Sequence, residues 1–301
     1  MRRYLPAQAF TNACKMRIAL ISCFIGKLPW YFDYFLHSCG YNSDVDFYIV
    51  TDDITYNKEL PQNVRVIYKS LNEISELAEE KLLLQVKIKY GYKLCDFKPA
   101  FGLIFSDILT GYDFWGHCDI DIIFGNIREF ITDELLNEYD LISVRPDWLT
   151  GCFLLYKNTN KINSIFQFSK DYQKVFSSEK HYCFDETNFM HDEFSEGKSY
   201  KDIPSEIESM MHVVKKLEAE NYLKPYFDLH IIEGLPGKLK WENGKMYYRG
   251  KYEILLYHLI FFKTRYEPRI LPTIPNHFTI SPTKIYHQIS NKSPGYISRR
   301  Q

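Results

Sequence analysis

The sequence has almost no net charge: 37 Lys plus Arg stand against 38 Asp plus Glu, a formal balance of −1. Without a global basic field, neither nucleic acid nor anionic lipid would be gathered by charge alone, and no nucleic-acid partner is expected. No run of 18 apolar residues occurs, so no transmembrane helix is expected. Arg2 and Arg3 are followed by no apolar stretch before Lys15 and Arg17, so a secretory leader is not expected either. The seven cysteines are odd in number and widely spaced, with no Cys-x-x-Cys pair. That spacing argues against a disulfide framework or a zinc knuckle and fits a reducing cytoplasm. Internal repeats, low-complexity tracts and a convincing linker are also missing.

What is there suits a folded enzyme-sized chain. The 301 residues, 46% apolar and 25% charged, can bury a sizeable core. Aromatic content is high at 17%, with 24 Tyr and 22 Phe. Such rings serve as sugar- and base-stacking surfaces or simply as a Tyr-rich core. Residues 1–15 read as an irregular extension, with Met16 as an alternative start, and residues 291–301 as a loose basic tail. Residues 16–290 are expected to form a single domain.

Short apolar runs at Arg17–Ser22, Asp46–Thr51, Val64–Tyr68, Asp113–Cys118, Asp140–Arg145 and Cys152–Lys157 read as strands. Helical spacing lies between them over Trp30–Cys39, Glu73–Tyr90 and Asp96–Leu109, the last starting near Pro99. Thr132 reads as a helix N-cap, and residues 160–176 and 185–195 read as helical. Asn243-Gly244 inside Lys238–Arg249 predicts a hairpin with a type I′ turn. This rhythm predicts an α/β fold, a mostly parallel central sheet with flanking helices and an irregular C-terminal part.

The strongest chemical signal is His117-Cys118-Asp119-Ile120-Asp121-Ile122-Ile123-Phe124-Gly125. Two carboxylates at i and i+2 beyond an apolar strand face the same way. Buried together they repel unless one is protonated or a cation lies between them. Hard oxygen ligands suit Mg²⁺ or Mn²⁺, ions that also hold diphosphates. The end of such a strand is where open α/β sheets bind ligands. The plain alternative is a solvated turn.

Together with Asp96-Phe97-Lys98-Pro99-Ala100-Phe101-Gly102 and Gly111-Tyr112-Asp113-Phe114-Trp115-Gly116, this segment resembles GT-A (Rossmann-like) nucleotide-diphospho-sugar transferases. The likeness is to bacterial DxD-containing glycosyltransferases of the polysaccharide-biosynthesis type and, more distantly, to DxD mannosyl- and galactosyltransferases. It is specific around residues 94–126. It implies a nucleotide-sugar donor, a glycan or lipid-linked saccharide acceptor, Mn²⁺ or Mg²⁺, and net retention at the sugar. A lipid-linked acceptor would bring a cytoplasmic chain into peripheral contact with a membrane.

The resemblance also assigns roles. Asp119 and Asp121 would bind metal, with His258 as a third ligand and Lys263 for the diphosphate; the His-x-x-Gly-x-x-Lys form of some families is absent here. Ser22, Cys23 and Phe24 would cradle the nucleotide with Thr51 and Asp52, and Lys98 would meet a phosphate or sugar hydroxyl. Asp119 and Gly151 would also touch the donor, and Asp147 and Trp148 a sugar. Asp185 and Glu186, at a helix start, would supply the acidic catalytic group, with Asp185 preferred. Ordinary alternatives stand beside each: loop capping for Ser22 and Asp52, a solvated lysine, a core histidine, a helix N-terminus for Asp185 and Glu186. Two other functions also stay open: an Asp-dependent phosphotransfer enzyme, and a binding module that has lost catalysis.

Overall fold

The computed structural model describes residues 15–266 and 271–287. The expected extension over residues 1–15, apart from Lys15, and the tail over 291–301 lie outside the described residues. In chain order the first strands are β1 (Ile18–Phe24), β2 (Val45–Thr51), β3 (Val64–Tyr68), β4 (Phe114–Cys118) and β5 (Ile122–Phe124). They are followed by β6 (Leu141–Ser143), β7 (Phe153–Lys157), β8 (Pro225–Phe227), β9 (Ile231–Glu233) and β10 (Leu239–Glu242). The last are β11 (Lys245–Tyr248), β12 (Tyr252–Ile254), β13 (Leu256–His258), β14 (His277–Ile280) and β15 (Ile285–His287).

The main sheet has seven strands in the order β3-β2-β1-β4-β7-β6-β8. Only β7 runs against its neighbours; every other pairing in the sheet is parallel. The expected α/β architecture with a mostly parallel sheet is therefore what this chain adopts. The apolar runs explain it. Ile18, Ala19, Leu20 and Ile21 are buried on both faces of β1, which only a sheet covered on both sides permits. Ala19 and Ile21 pack on one side with Ile74 and Ala78 of helix α2 (Leu71–Leu82). Ile18 and Leu20 pack on the other with Phe32 and Phe35 of helix α1 (Phe32–Gly40).

Three local readings hold in detail. Thr132 caps its helix by accepting from the Leu135 amide. Asn243 and Gly244 both have positive φ, 47° and 85°, as a type I′ turn requires. Cys23, Cys39, Cys95, Cys118, Cys152 and Cys183 carry free thiols.

Other expectations are corrected. α2 stops at Leu82, because Leu83 takes a left-handed conformation (φ 50°) and the chain beyond is captured by a Lys87 N–H to Phe176 carbonyl bond. Residues 96–109 do not form one α-helix starting near Pro99. A run of 3₁₀ turns spans Gly91–Ala100 and gives way to one α-turn at Phe101–Ile104, so Lys98 is near the end of a tight helix. Lys93 and Asp96 of that run are buried and bonded to the 175–184 segment, which fixes its path. Residues 160–176 break into Asn160–Asn163, Ile165–Phe168 and Tyr172–Phe176. Over 185–195 only His191–Ser195 is helical, so Asp185 and Glu186 sit in a turn ahead of the helix.

The C-terminal part is not irregular. Strands β12-β11-β10-β14-β15 form an antiparallel sheet around Trp241 and Phe278, whose rings stack at 5.0 Å. A third sheet, β5-β13-β9, joins the two. The chain leaves the main sheet at Cys118 and enters this small sheet at Ile122, so Asp119-Ile120-Asp121 is the crossing between them.

Candidate active site

The small sheet assembles the site by register. β13 pairs antiparallel with β5, setting His258 opposite Ile122, and parallel with β9, setting His258 opposite Glu233. The Leu259 amide donates to the Asp121 carbonyl at 2.9 Å and the Asp119 amide to the Cys152 carbonyl at 2.9 Å. These bonds tie the Asp-x-Asp crossing to both flanking segments. Asp119, Asp121 and His258 thereby converge, each offering a ligand atom, all within 4.8 Å of one another. Two hard oxygens and one imidazole nitrogen suit Mn²⁺ or Mg²⁺, so the residues present fit the expected ion.

Asp121 is held by cations on two sides. Its Oδ2 lies 2.6 Å from Lys263 Nζ and 3.3 Å from His258 Nε2. Burial opposes its charge, but His258 and Lys263 hold its carboxyl well below the usual range. His258 is buried, which disfavours its charge, yet its neighbours, Asp121 and Glu233 among them, hold its pKa well above the ordinary value. Lys263 is raised too, against burial, by Asp121.

Lys98 forms the second cationic point. Its Nζ donates to Asp119 Oδ1 at 2.7 Å and to the Gly151 carbonyl at 2.8 Å, and lies 3.7 Å from Asp185 Oδ2. Burial works against the charge, and Asp119 and Asp185 outweigh it, holding Lys98 well above its ordinary pKa. Asp185 is pushed well above the carboxylate range, chiefly by burial and further by the Glu186, Asp96 and Asp119 carboxylates.

Glu186 is differently placed. Its Oε1 accepts from the Gly151 amide at 2.5 Å and its Oε2 lies 3.0 Å from His191 Nε2. Burial raises its pKa, but His191 and the Gly151 amide overcome that and bring it down to about 2. The turn carrying both acids is fixed from below and behind. Asp96 accepts from the Tyr182 and Phe184 amides, and the Phe184 and Glu186 carbonyls accept from the Met210 and Met211 amides. Those two amides open the helix Met210–Ala219 and would otherwise lack partners. Cys183, Asn188 and Phe189 all have positive φ, so the turn is held in a costly shape. Gly151 is dictated by its neighbours: a Cβ there would lie 2.6 Å from Asp185 Oδ2.

The remaining sequence candidates fall as follows. Ser22 is buried and donates its hydroxyl to the Cys118 carbonyl at 2.7 Å, so it braces β1 against β4. Asp52 accepts from the Gly26 amide at 2.7 Å and Asp53 from the Leu28 amide at 2.8 Å, clasping the loop after β1. Asp147 binds Arg145 through both oxygens, and the Arg145 guanidinium lies 3.6 Å over the Trp148 ring. Thus Asp119, Asp121, His258 and Lys263 form one cluster and Lys98, Gly151, Asp185 and Glu186 a second, joined at Asp119. Ser22 and Asp52 brace the neighbouring strand ends.

Sequence reasoning missed four residues here. Glu233 contacts His258, Arg145 contacts Glu233, and His191 contacts Glu186. Tyr31 lies under Lys263, its ring centroid 5.8 Å from Nζ. Only His191 carried a signal, an imidazole five residues after an acidic pair.

No curated protein matches the chain in sequence. Among solved structures, the chain is similar to a galactosyltransferase, LgtC, in complex with donor and acceptor sugar analogs. Identity there is 11% and the TM-score 0.35, over 69% of this chain and 72% of that one. It is similar to mouse xyloside xylosyltransferase 1 at 10% identity and TM-score 0.43, over 81% of this chain and 97% of that one. A third is the glycosyltransferase GlyE of Streptococcus pneumoniae TIGR4, at 11% identity and TM-score 0.33, over 70% of this chain and 45% of that one. One family model, described as Family of unknown function (DUF6625), matches residues 20–289. By that match, which takes in every strand that builds the site, the chain belongs to the Family of unknown function (DUF6625).

Proposed function

We propose that this chain is a GT-A-type glycosyltransferase that depends on Mn²⁺ or Mg²⁺. In this reading it moves a sugar from a nucleotide-sugar donor to a hydroxyl of a glycan or lipid-linked acceptor. Net retention and a role in surface polysaccharide synthesis follow from the sequence resemblance. A lipid-linked acceptor would place the cytoplasmic chain at a membrane surface; among the described residues no helix is long and apolar enough to cross one.

The observation that carries the reading is the convergence of Asp119, Asp121 and His258, flanked by Lys263 and Lys98. Asp119, Asp121 and His258 would hold the cation, which when bound neutralises charge growing on a departing diphosphate. Lys263, partly exposed beside Asp121, is placed to turn onto a phosphate oxygen. Lys98 bonds Asp119 and lies beside Asp185, so one ammonium aligns a metal ligand with the catalytic candidate. Asp185, which burial pushes well above the carboxylate range, would face the anomeric carbon as the acidic group, with Lys98 at 3.7 Å and the positive charge developing there favouring its ionised form. Glu186 would act through the chain: it fixes the Gly151 amide and so the wall on which the sugar rests. Fixing both substrates in one orientation supplies the rest of the rate.

The test is a melting-temperature panel with UDP-, GDP-, CMP- and dTDP-sugars, with and without Mn²⁺. A ligand that binds the native state raises the midpoint by mass action. A rise for one base, only with Mn²⁺ present, is the expected result and names the donor base. No rise with any donor would favour the phosphotransfer or binding-module reading, and a phosphatase assay would separate those two.

A further inference from the structure

We infer that Glu233 is a positioning residue that aims the metal-binding nitrogen of His258. The inference rests on the reading that Asp119, Asp121 and His258 take a divalent cation. Register places the two side by side, because β9 and β13 are parallel and pair Glu233 with His258 directly. Glu233 Oε1 lies 2.9 Å from His258 Nδ1. A carboxylate only accepts, so Nδ1 carries the proton and donates it. That bond turns Nε2 toward Asp121, whose Oδ2 is 3.3 Å away.

The carboxylate is itself locked. Its second oxygen, Oε2, accepts from Arg145 Nη1 at 2.8 Å. Arg145 is fixed in turn by two bonds to Asp147, at 2.9 and 2.8 Å, and by stacking 3.6 Å over Trp148. Asp147 is tied to the helix His191–Ser195 through the Ser195 hydroxyl at 2.9 Å. With each Glu233 oxygen held by a different donor, the group cannot rotate without breaking a charged bond. Metal-binding imidazoles gain orientation and basicity from such an outer carboxylate, and its removal weakens metal affinity by about 10–100-fold.

The experiment measures Mn²⁺ affinity without donor, from the free-ion electron paramagnetic resonance signal, together with the metal-free melting temperature. Wild type is compared with Glu233→Ala, Glu233→Gln and His258→Ala. The expected result is a loss of about 10–100-fold in Glu233→Ala, and a smaller one in Glu233→Gln, whose amide oxygen still accepts from Nδ1. Glu233→Gln is near-isosteric and carries the test if the alanine variant does not fold. A merely structural glutamate would lower the metal-free melting temperature and leave Mn²⁺ affinity at the wild-type value, and that result overturns the inference alone. If wild type binds no Mn²⁺, or His258→Ala binds it as wild type does, the metal reading falls and this inference falls with it.

Discussion

The Lys98 ammonium lies 2.7 Å from the Asp119 carboxylate and has very little contact with water. The same nitrogen lies 3.7 Å from Asp185, so one buried cation serves an acid of the candidate metal cluster and an acid of the turn proposed as catalytic. Lys98→Met should therefore cost more than the bond it deletes. Asp119 would lose its counter-charge and the Gly151 carbonyl its donor; because Asp119 is 34% exposed, the cost should fall toward the low end of the about 3–5 kcal/mol typical when one partner of a buried pair is removed. Urea denaturation should show a loss of that order. A loss below about 1 kcal/mol would mean that Lys98 is effectively a surface residue.

Asp121→Asn tests the other side of the cluster. Asp121 is nearly fully buried between His258 and Lys263, and the amide keeps its shape. Lys263 can turn toward water and His258 can shed its proton, so the fold should hold. The Mn²⁺-dependent rise in melting temperature should vanish, and sugar transfer should fall by ~10²-fold or more. Turnover near wild type would remove Asp121 from the metal site.

Much of this site was legible because its signals are local. An apolar strand ending in Asp119-Ile120-Asp121 specifies a sheet edge and places two carboxylates there. Asn243-Gly244 needs only its own φ values, and Thr132 only the next three residues. Glu233 was not legible, because its place beside His258 is a strand register between segments 25 residues apart. The C-terminal sheet was hidden for a related reason: several of its strands have three or four residues, too few for alternation to show. Residues 160–195 misled in the opposite way. Ile162, Ile165, Phe166, Val175 and Phe176 are all buried and mimic helical spacing, although the backbone between them turns repeatedly.

Gly151→Ala probes the wall between the two acids. The added methyl would lie 2.6 Å from Asp185 Oδ2 and 3.0 Å from Glu186 Oε1. Both carboxylates would have to move, and Glu186 would strain its 2.5 Å bond from the residue-151 amide. Overpacking of this kind costs about 1–3 kcal/mol. Turnover should fall while Mn²⁺ affinity stays, because Asp121 and His258 are untouched. An equal loss of both would show that the two clusters move as one.

The Glu186–His191 pair makes a prediction about pH. In the folded chain Glu186 is held at about 2, below its ordinary 4.5, against burial, by His191 and the Gly151 amide. Its contribution to stability is present above pH 4.5 and is lost as pH falls toward about 2. His191 is shifted the other way: burial lowers it, but Glu186 more than compensates and raises it above 6.5. Its contribution is complete below pH 6.5 and is lost as pH climbs through the raised folded value. Both are complete together between pH 4.5 and 6.5. His191→Gln should therefore lower the melting temperature most in that window, with the gap to wild type narrowing as pH climbs through the raised folded value of His191. Because both side chains are partly exposed, added salt should shrink the gap as well. Melting curves of wild type and His191→Gln at intervals of pH would decide it, and a gap that stays constant from mildly acidic to alkaline pH would show that the two residues do not titrate as a pair.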